Sequence, residues 1–117
     1  MPRVHIALDE PLLRSAVSES LRLHPGIEVI DAVESDYVSD PEIAAALRPD
    51  AVVLSELGRD DPAERVADYR NAAPGAKLVL LLLSGRAVDL VANAGADATV
   101  DAGDGLDELA AAIRAVA

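Results

Sequence analysis

At 117 residues, 51% of them apolar and 26% charged, the chain has the size and balance of one folded domain with a sizeable core rather than of a disordered segment. It has no Phe, Trp or Cys, and only Tyr37 and Tyr69 are aromatic, which excludes thiolate chemistry and metal binding through sulfur and leaves little for stacking on bases. A formal net charge of -11, with its few basic residues scattered from Arg3 to Arg114, repels phosphate backbones and argues against direct nucleic-acid binding by this segment.

In chain order, Met1 to Leu8 already contains Arg3 and His5 and does not read as a signal peptide; Val4 to Leu8 reads as a first strand. A first helix follows from about Pro11 to His24, with Leu13, Ala16, Val17 and Leu21 as its core-facing stripe, and Pro25-Gly26 ends it. Ile27 to Val33 is a second apolar run. Asp40 can cap a short second helix over Pro41 to Leu47, stopped by Pro49. Ala51 to Leu54 is a third strand, closed by Ser55. Asp61-Pro62-Ala63-Glu64 resembles a capping box that opens a third helix running to about Ala73. Leu78 to Leu83 is a fourth strand, far too short to span a bilayer. Ser84-Gly85 leads into a short helix of roughly Arg86 to Ala94. Ala98 to Val100 is a fifth strand, and Leu106, Leu109, Ile113 and Val116 give a last helix its buried stripe. Apolar runs alternating with helical segments imply a parallel sheet covered on both faces, an α/β fold.

The five βα repeats, the stretch Arg48-Pro49-Asp50 before the third strand and Ala94-Gly95-Ala96-Asp97 before the fifth together resemble a response-regulator receiver domain. The opening Arg3-Val4-His5-Ile6-Ala7-Leu8-Asp9-Glu10-Pro11-Leu12, the Gly26-Ile27-Glu28-Val29 segment and Glu108-Leu109 through Ile113-Arg114-Ala115-Val116 look most like the NarL/LuxR-type branch. The resemblance covers residues 1–117 as a single receiver-like domain. It implies a flavodoxin-like (βα)5 doubly wound parallel five-stranded sheet in the order 2-1-3-4-5. It also implies a cytoplasmic regulatory module whose helix-turn-helix output domain is not in this chain.

Receivers of this family hold Mg2+ with an acidic pair after the first strand and a phosphoacceptor aspartate, and they sense the phosphoryl group with a hydroxyl residue and a lysine. By resemblance the acidic pair maps to Leu8 and Asp9, the acceptor to Ser55, the hydroxyl sensor to Leu82 and the lysine to Ala102; four of these five positions are altered. Thr99 stands where the branch has an aromatic switch residue. Aligning from Ala94-Gly95-Ala96-Asp97 instead moves the sensor to Leu80, and Ser84 is a third candidate. Mg2+ requires near-octahedral oxygen ligation, so one aspartate beside a leucine and a serine holds it poorly. Transfer from a phosphohistidine also needs a cation on the phosphoryl oxygens. The expectation is therefore a degenerate site with no cofactor, Asp9 being at most a remnant ligand.

Each of these residues has a plainer reading. Ser55 is a neutral residue in a vacated acidic slot, and Asp9 a helix-start aspartate allied with the dipole. His5 is a hydrogen-bonded core residue and His24 a helix-end dipole partner. The acidic run Asp101, Asp104, Asp107 and Glu108 is a solvated helix start. Leu8 either collapses the pocket or suits it to a mostly apolar ligand. Ala111 and Ala115 on the last helix offer a close-packing surface, or simply good helix formers. The sequence thus points to a phosphorylation-independent receiver that acts through homodimerisation or contact with its output domain, with a ligand-sensing module as the alternative. An enzyme is disfavoured, because no paired acid, nucleophile-base pair or glycine-rich phosphate loop is present.

Overall fold

The run Ala51-Val52-Val53-Leu54 has no polar face, and a strand of that kind is stable only where both sides are covered. The computed structural model, which describes residues 2–8, 11–30, 41–55, 62–82 and 95–117, buries all of it in β3 (Ala51–Ser55). β1 (Arg3–Ile6) and β4 (Lys77–Leu82) flank it, with β2 (Glu28–Val29) and β5 (Ala98–Asp101) at the edges, in the order β2-β1-β3-β4-β5. All four pairings are parallel. The expected strand order is the observed one. β1 and β2 are shorter than their apolar runs, although Ala7 continues the ladder by donating its N–H to the Val53 carbonyl at 2.9 Å. Residues 31–33, Leu83 and the helix expected over 86–94 lie outside the described residues.

Side-chain alternation divides the core into two layers. Val4, Ile6, Leu8, Val53, Val79 and Leu81 face α1 (Pro11–Arg22) and α4 (Leu106–Val116), the fourth of the described helices. Ala7, Val52, Leu54, Leu78, Leu80 and Leu82 face α2 (Pro41–Leu47) and α3 (Pro62–Ala72), where Tyr69 is the largest buried side chain. The sheet is doubly wound. Leu109, Ala110 and Ile113 carry the buried stripe of α4, with Leu106 and Val116 packed partly against it. The stripe of α1 departs from expectation: Ala16 is exposed, and Arg14, Val17, Ser18 and Leu21 are the buried positions. Their spacing of three and four residues is still that of one helical face.

The two short motifs now have physical roles. Arg48 adopts a left-handed φ of 50° just past α2, where glycine ordinarily ends a helix. The following Asp50 accepts the Arg3 N–H on Oδ2 at 2.8 Å and donates its own N–H to the Arg3 carbonyl at 2.8 Å, which fixes the start of β3 against β1. Asp97 does the same for β5: its N–H donates to the Leu78 carbonyl and its Oδ2 accepts the Leu78 N–H, both at 2.8 Å. Arg70 adds bonds to Asp97 at 3.2 Å and to the Gly95 carbonyl at 2.7 Å, Gly95 supplying a φ of 85°. His24 is more than a dipole partner, since its Nε2 lies 3.0 Å from Asp107 Oδ1 at the start of α4.

His5 is fully buried in β1, on the α2–α3 side by alternation with Val4 and Ile6, and burial pushes its pKa down to about 4. The unfolded chain takes up this proton near pH 6.5, whereas the folded chain resists it until about pH 4. Stability contributed by neutral His5 is therefore complete above pH 6.5 and is lost as pH falls toward 4, by about 3 kcal/mol in all. Urea unfolding across this range is expected to show that decline, and His5→Leu to flatten it. An unchanged slope in the variant would locate the acid sensitivity elsewhere.

Candidate functional site

In an open parallel sheet, ligand chemistry collects beyond the carboxyl ends of the strands, because every connection to a helix leaves the sheet there. Four of the residues singled out from the sequence reach this edge. Leu8 follows β1, Ser55 ends β3, Leu82 ends β4, and Ala102 opens a short 3-10 turn (Ala102–Asp104) after β5. The register sets Ser55 opposite Leu81 and Leu82 opposite Asp101. Leu80 pairs with Leu54 and Thr99 two residues deeper, so Leu82 is the residue of β4 that stands at the edge. Thr99 is exposed on the outer strand. Asp9, Glu10, Glu56 and Ser84 lie outside the described residues.

The surroundings of these positions are apolar. Leu8 is 0% exposed within the cluster that includes Ile6, Val17, Val53 and Leu81, and the half-buried Ala102 packs against the same cluster. Leu82 belongs to the opposite layer with Leu54 and Leu80. Ser55 is buried too. Asp101, the described carboxylate nearest in sequence, turns inward on its own loop and accepts the Gly103 N–H at 2.8 Å.

Two residues that the sequence reading passed over complete the site. Arg14 of α1 and Arg65 of α3 are 7% and 6% exposed. Arg14 Nη1 donates to the Leu8 carbonyl at 3.2 Å, and Arg65 Nη1 donates to the Ser55 carbonyl at 3.4 Å. The signal was available: Arg14 stands three residues before Val17, and Arg65 four before Tyr69, on buried helical faces. Periodicity reads hydrophobic residues, and an arginine on such a face escapes it.

The described residues alone do not make a divalent-ion site. Leu8 offers no side-chain oxygen, Ser55 a neutral hydroxyl, and each has a guanidinium on its backbone carbonyl. Among the described residues no group of three or more His, Cys, Asp or Glu could hold a metal. No described helix is long and apolar enough to cross a membrane. A groove of about 440 Å3 lies at the opposite end of the strands, lined by small residues such as Ala45, Ala73 and Gly75 together with Arg48 and Asp50.

No family model matches the chain, and no curated protein matches it in sequence. Its likeness is to solved structures. The response regulator protein TrrA from Thermotoga maritima, crystallised with Mg2+ and BeF, is 24% identical with a TM-score of 0.75 over 100% of both chains. A LuxR-family two-component response regulator from Aurantimonas sp. is 21% identical with a TM-score of 0.77, over 99% of this chain and 84% of that one. The signal receiver domain of the response regulator NarL from Mycobacterium tuberculosis is 21% identical with a TM-score of 0.76, over 97% and 94%. The chain therefore has the fold of response-regulator receiver domains.

If Leu8 now serves the core, truncating it opens a cavity among aliphatic neighbours. Leu8→Ala is expected to cost about 2 to 5 kcal/mol in urea unfolding followed by circular dichroism. Asp68→Ala, on the exposed side of α3, is expected to change stability by no more than about 0.5 kcal/mol. Comparable losses in the two variants would contradict the assignment of Leu8 to the core.

Proposed function

We propose that this chain is the regulatory receiver domain of a NarL/LuxR-type transcriptional regulator, working without a phosphorylation cycle. The observation that carries the proposal is the complete burial of Leu8 in the apolar core beside a buried Ser55, at the edge where a receiver needs carboxylates. A serine hydroxyl is a weaker phosphoryl acceptor than a carboxylate, and the described residues at this edge offer neither a metal-binding acid pair nor a lysine. The domain acts on its own helix-turn-helix output domain or on a partner protein; it performs no catalysis and contacts no nucleic acid itself. Asp9 is at most a remnant of the acidic pair. Incubation of the chain with acetyl phosphate and Mg2+ is expected to give no phospho-adduct by intact-mass spectrometry. A stoichiometric adduct would overturn the reading.

The ligand-sensing alternative requires space among Leu8, Asp9, Ser55, Leu82 and Ala102. Leu8 and Leu82 point into opposite core layers, and their burial favours a closed edge over a pocket.

Dimerisation gives a phosphorylation-independent receiver a means of holding its output domains together. The outer side of α1 supports this role: Leu12 and Leu23 are 81% and 84% exposed, with Ala16 between them. Exposed Ala111 and Ala115 of the neighbouring α4 would allow close approach. Sedimentation equilibrium is expected to give a dimer for the native chain and a monomer for Leu12→Glu/Leu23→Glu. A native monomer would refute this route.

A further inference from the structure

We propose that the chain pairs with a second copy of itself through antiparallel α4 helices, Ala111 lying at the two-fold axis and Asp107 of each copy meeting Arg114 of the other. The proposal rests on the dimerisation reading above and adds the register of the two copies. The exposed residues of α4 are Asp107, Glu108, Ala111, Arg114 and Ala115, and they form two rows with Ala111 between them. Asp107 and Arg114 make one row, Glu108 and Ala115 the other. The members of each row are seven residues apart, two helical turns, or about 10.5 Å along the axis. A two-fold axis perpendicular to the helix at Ala111 turns each row onto itself with its ends exchanged. Asp107 then meets Arg114 of the second copy, twice over, and Glu108 meets Ala115 of the second copy instead of another acid. A parallel arrangement would bring acid to acid at the helix starts, so the charges and the helix dipoles both select the antiparallel one.

Both charged residues keep bonding capacity for a partner. Asp107 uses Oδ1 for His24 at 3.0 Å while its side chain stays 91% exposed, and Arg114 uses Nη2 for the Pro25 carbonyl at 2.9 Å, leaving Nη1 and Nε of the same donor fork. Both in-chain bonds run to the turn after α1, so the charged row lies on the side of α4 next to α1. Leu23, the residue before His24, is 84% exposed, which makes the row continuous with the apolar stripe of α1. Exposed ion pairs are hydrated and screened, and contribute little to affinity; their effect is to exclude wrong registers. Affinity is left to burial of Leu12 and Leu23, and Ala111, with nothing beyond its Cβ, lets the two helix axes approach to about 8 Å.

The chain has no cysteine, so one introduced thiol reports on one position. Ala111→Cys, oxidised with copper phenanthroline, is expected to run mostly as a disulfide-linked dimer on a non-reducing gel, because Cα atoms facing each other across a close axis lie within the disulfide span of about 4.4 to 6.8 Å. Ala63→Cys, exposed on α3 at the other face of the sheet, is expected to run as a monomer. Sedimentation equilibrium tests the charges: Asp107→Arg and Arg114→Asp are each expected to weaken the dimer about fivefold or more, and the two together to return it close to native affinity. The double reversal rebuilds neither the His24 contact nor the Pro25 bond, so recovery reports the contact between copies. Equal cross-linking at the two positions, a native dimer whose Ala111→Cys form resists cross-linking, or charge reversals that fail to rescue each other overturn the proposal and leave dimerisation standing. A native monomer overturns both. The phosphorylation-independent reading is judged separately, by acetyl phosphate.

Discussion

The three central strands are covered on both faces, and the rest of the structure follows from that. Past the exposed Arg3 and Lys77 at their starts, β1, β3 and β4 present His5, Ser55 and otherwise aliphatic side chains to two helical layers. Under this constraint any polar group in the strands must be neutral or matched by a partner. His5 is neutral because burial depresses its pKa. Leu8 obeys the same rule in another way: once its position carries no charge, it extends the core of the α1–α4 layer to the edge of the sheet. A leucine at this edge therefore adds to the core.

The arginines show a complementary economy. Five of them, Arg3, Arg14, Arg65, Arg70 and Arg114, donate to backbone carbonyls, of Arg48, Leu8, Ser55, Gly95 and Pro25 respectively. In an acidic chain with few cations, these side chains serve as clamps between segments. Arg114 reaches from α4 to the turn after α1 at 2.9 Å, and the His24–Asp107 pair ties the same two elements. Carbonyls at strand ends and turns lack ladder partners, and a long planar donor is suited to reach them.

Much of the fold could be read from the sequence, and for identifiable reasons. A run such as Leu78 to Leu82 is too apolar for anything but a doubly covered strand, and Pro25-Gly26 and Pro49 mark helix ends whatever the tertiary context. The altered positions were also legible, since a leucine at position 8 and a serine at 55 contrast with the acids the resemblance implies. Other features were not. Ala16 shares the three- and four-residue spacing of Leu13, Val17 and Leu21, and only the packing of α1 against the sheet and α4 turns Arg14 and Ser18 inward instead. Which of Leu80 and Leu82 stands at the edge of the sheet required the β3–β4 register, which no local pattern specifies.

By itself, then, the sequence determined the alternation of strands and helices, the aliphatic core and the absence of an acid at positions 8 and 55, because these follow from side-chain polarity and its period along the chain. Tertiary structure alone decided that Leu8 is sealed in the core, that Leu82 stands at the edge, and that Arg14 and Arg65 converge on the carbonyls of Leu8 and Ser55. Those facts depend on which surfaces of different elements meet. A residue's own chemistry sets what it can bond to, and only the assembled sheet and helices bring it within reach.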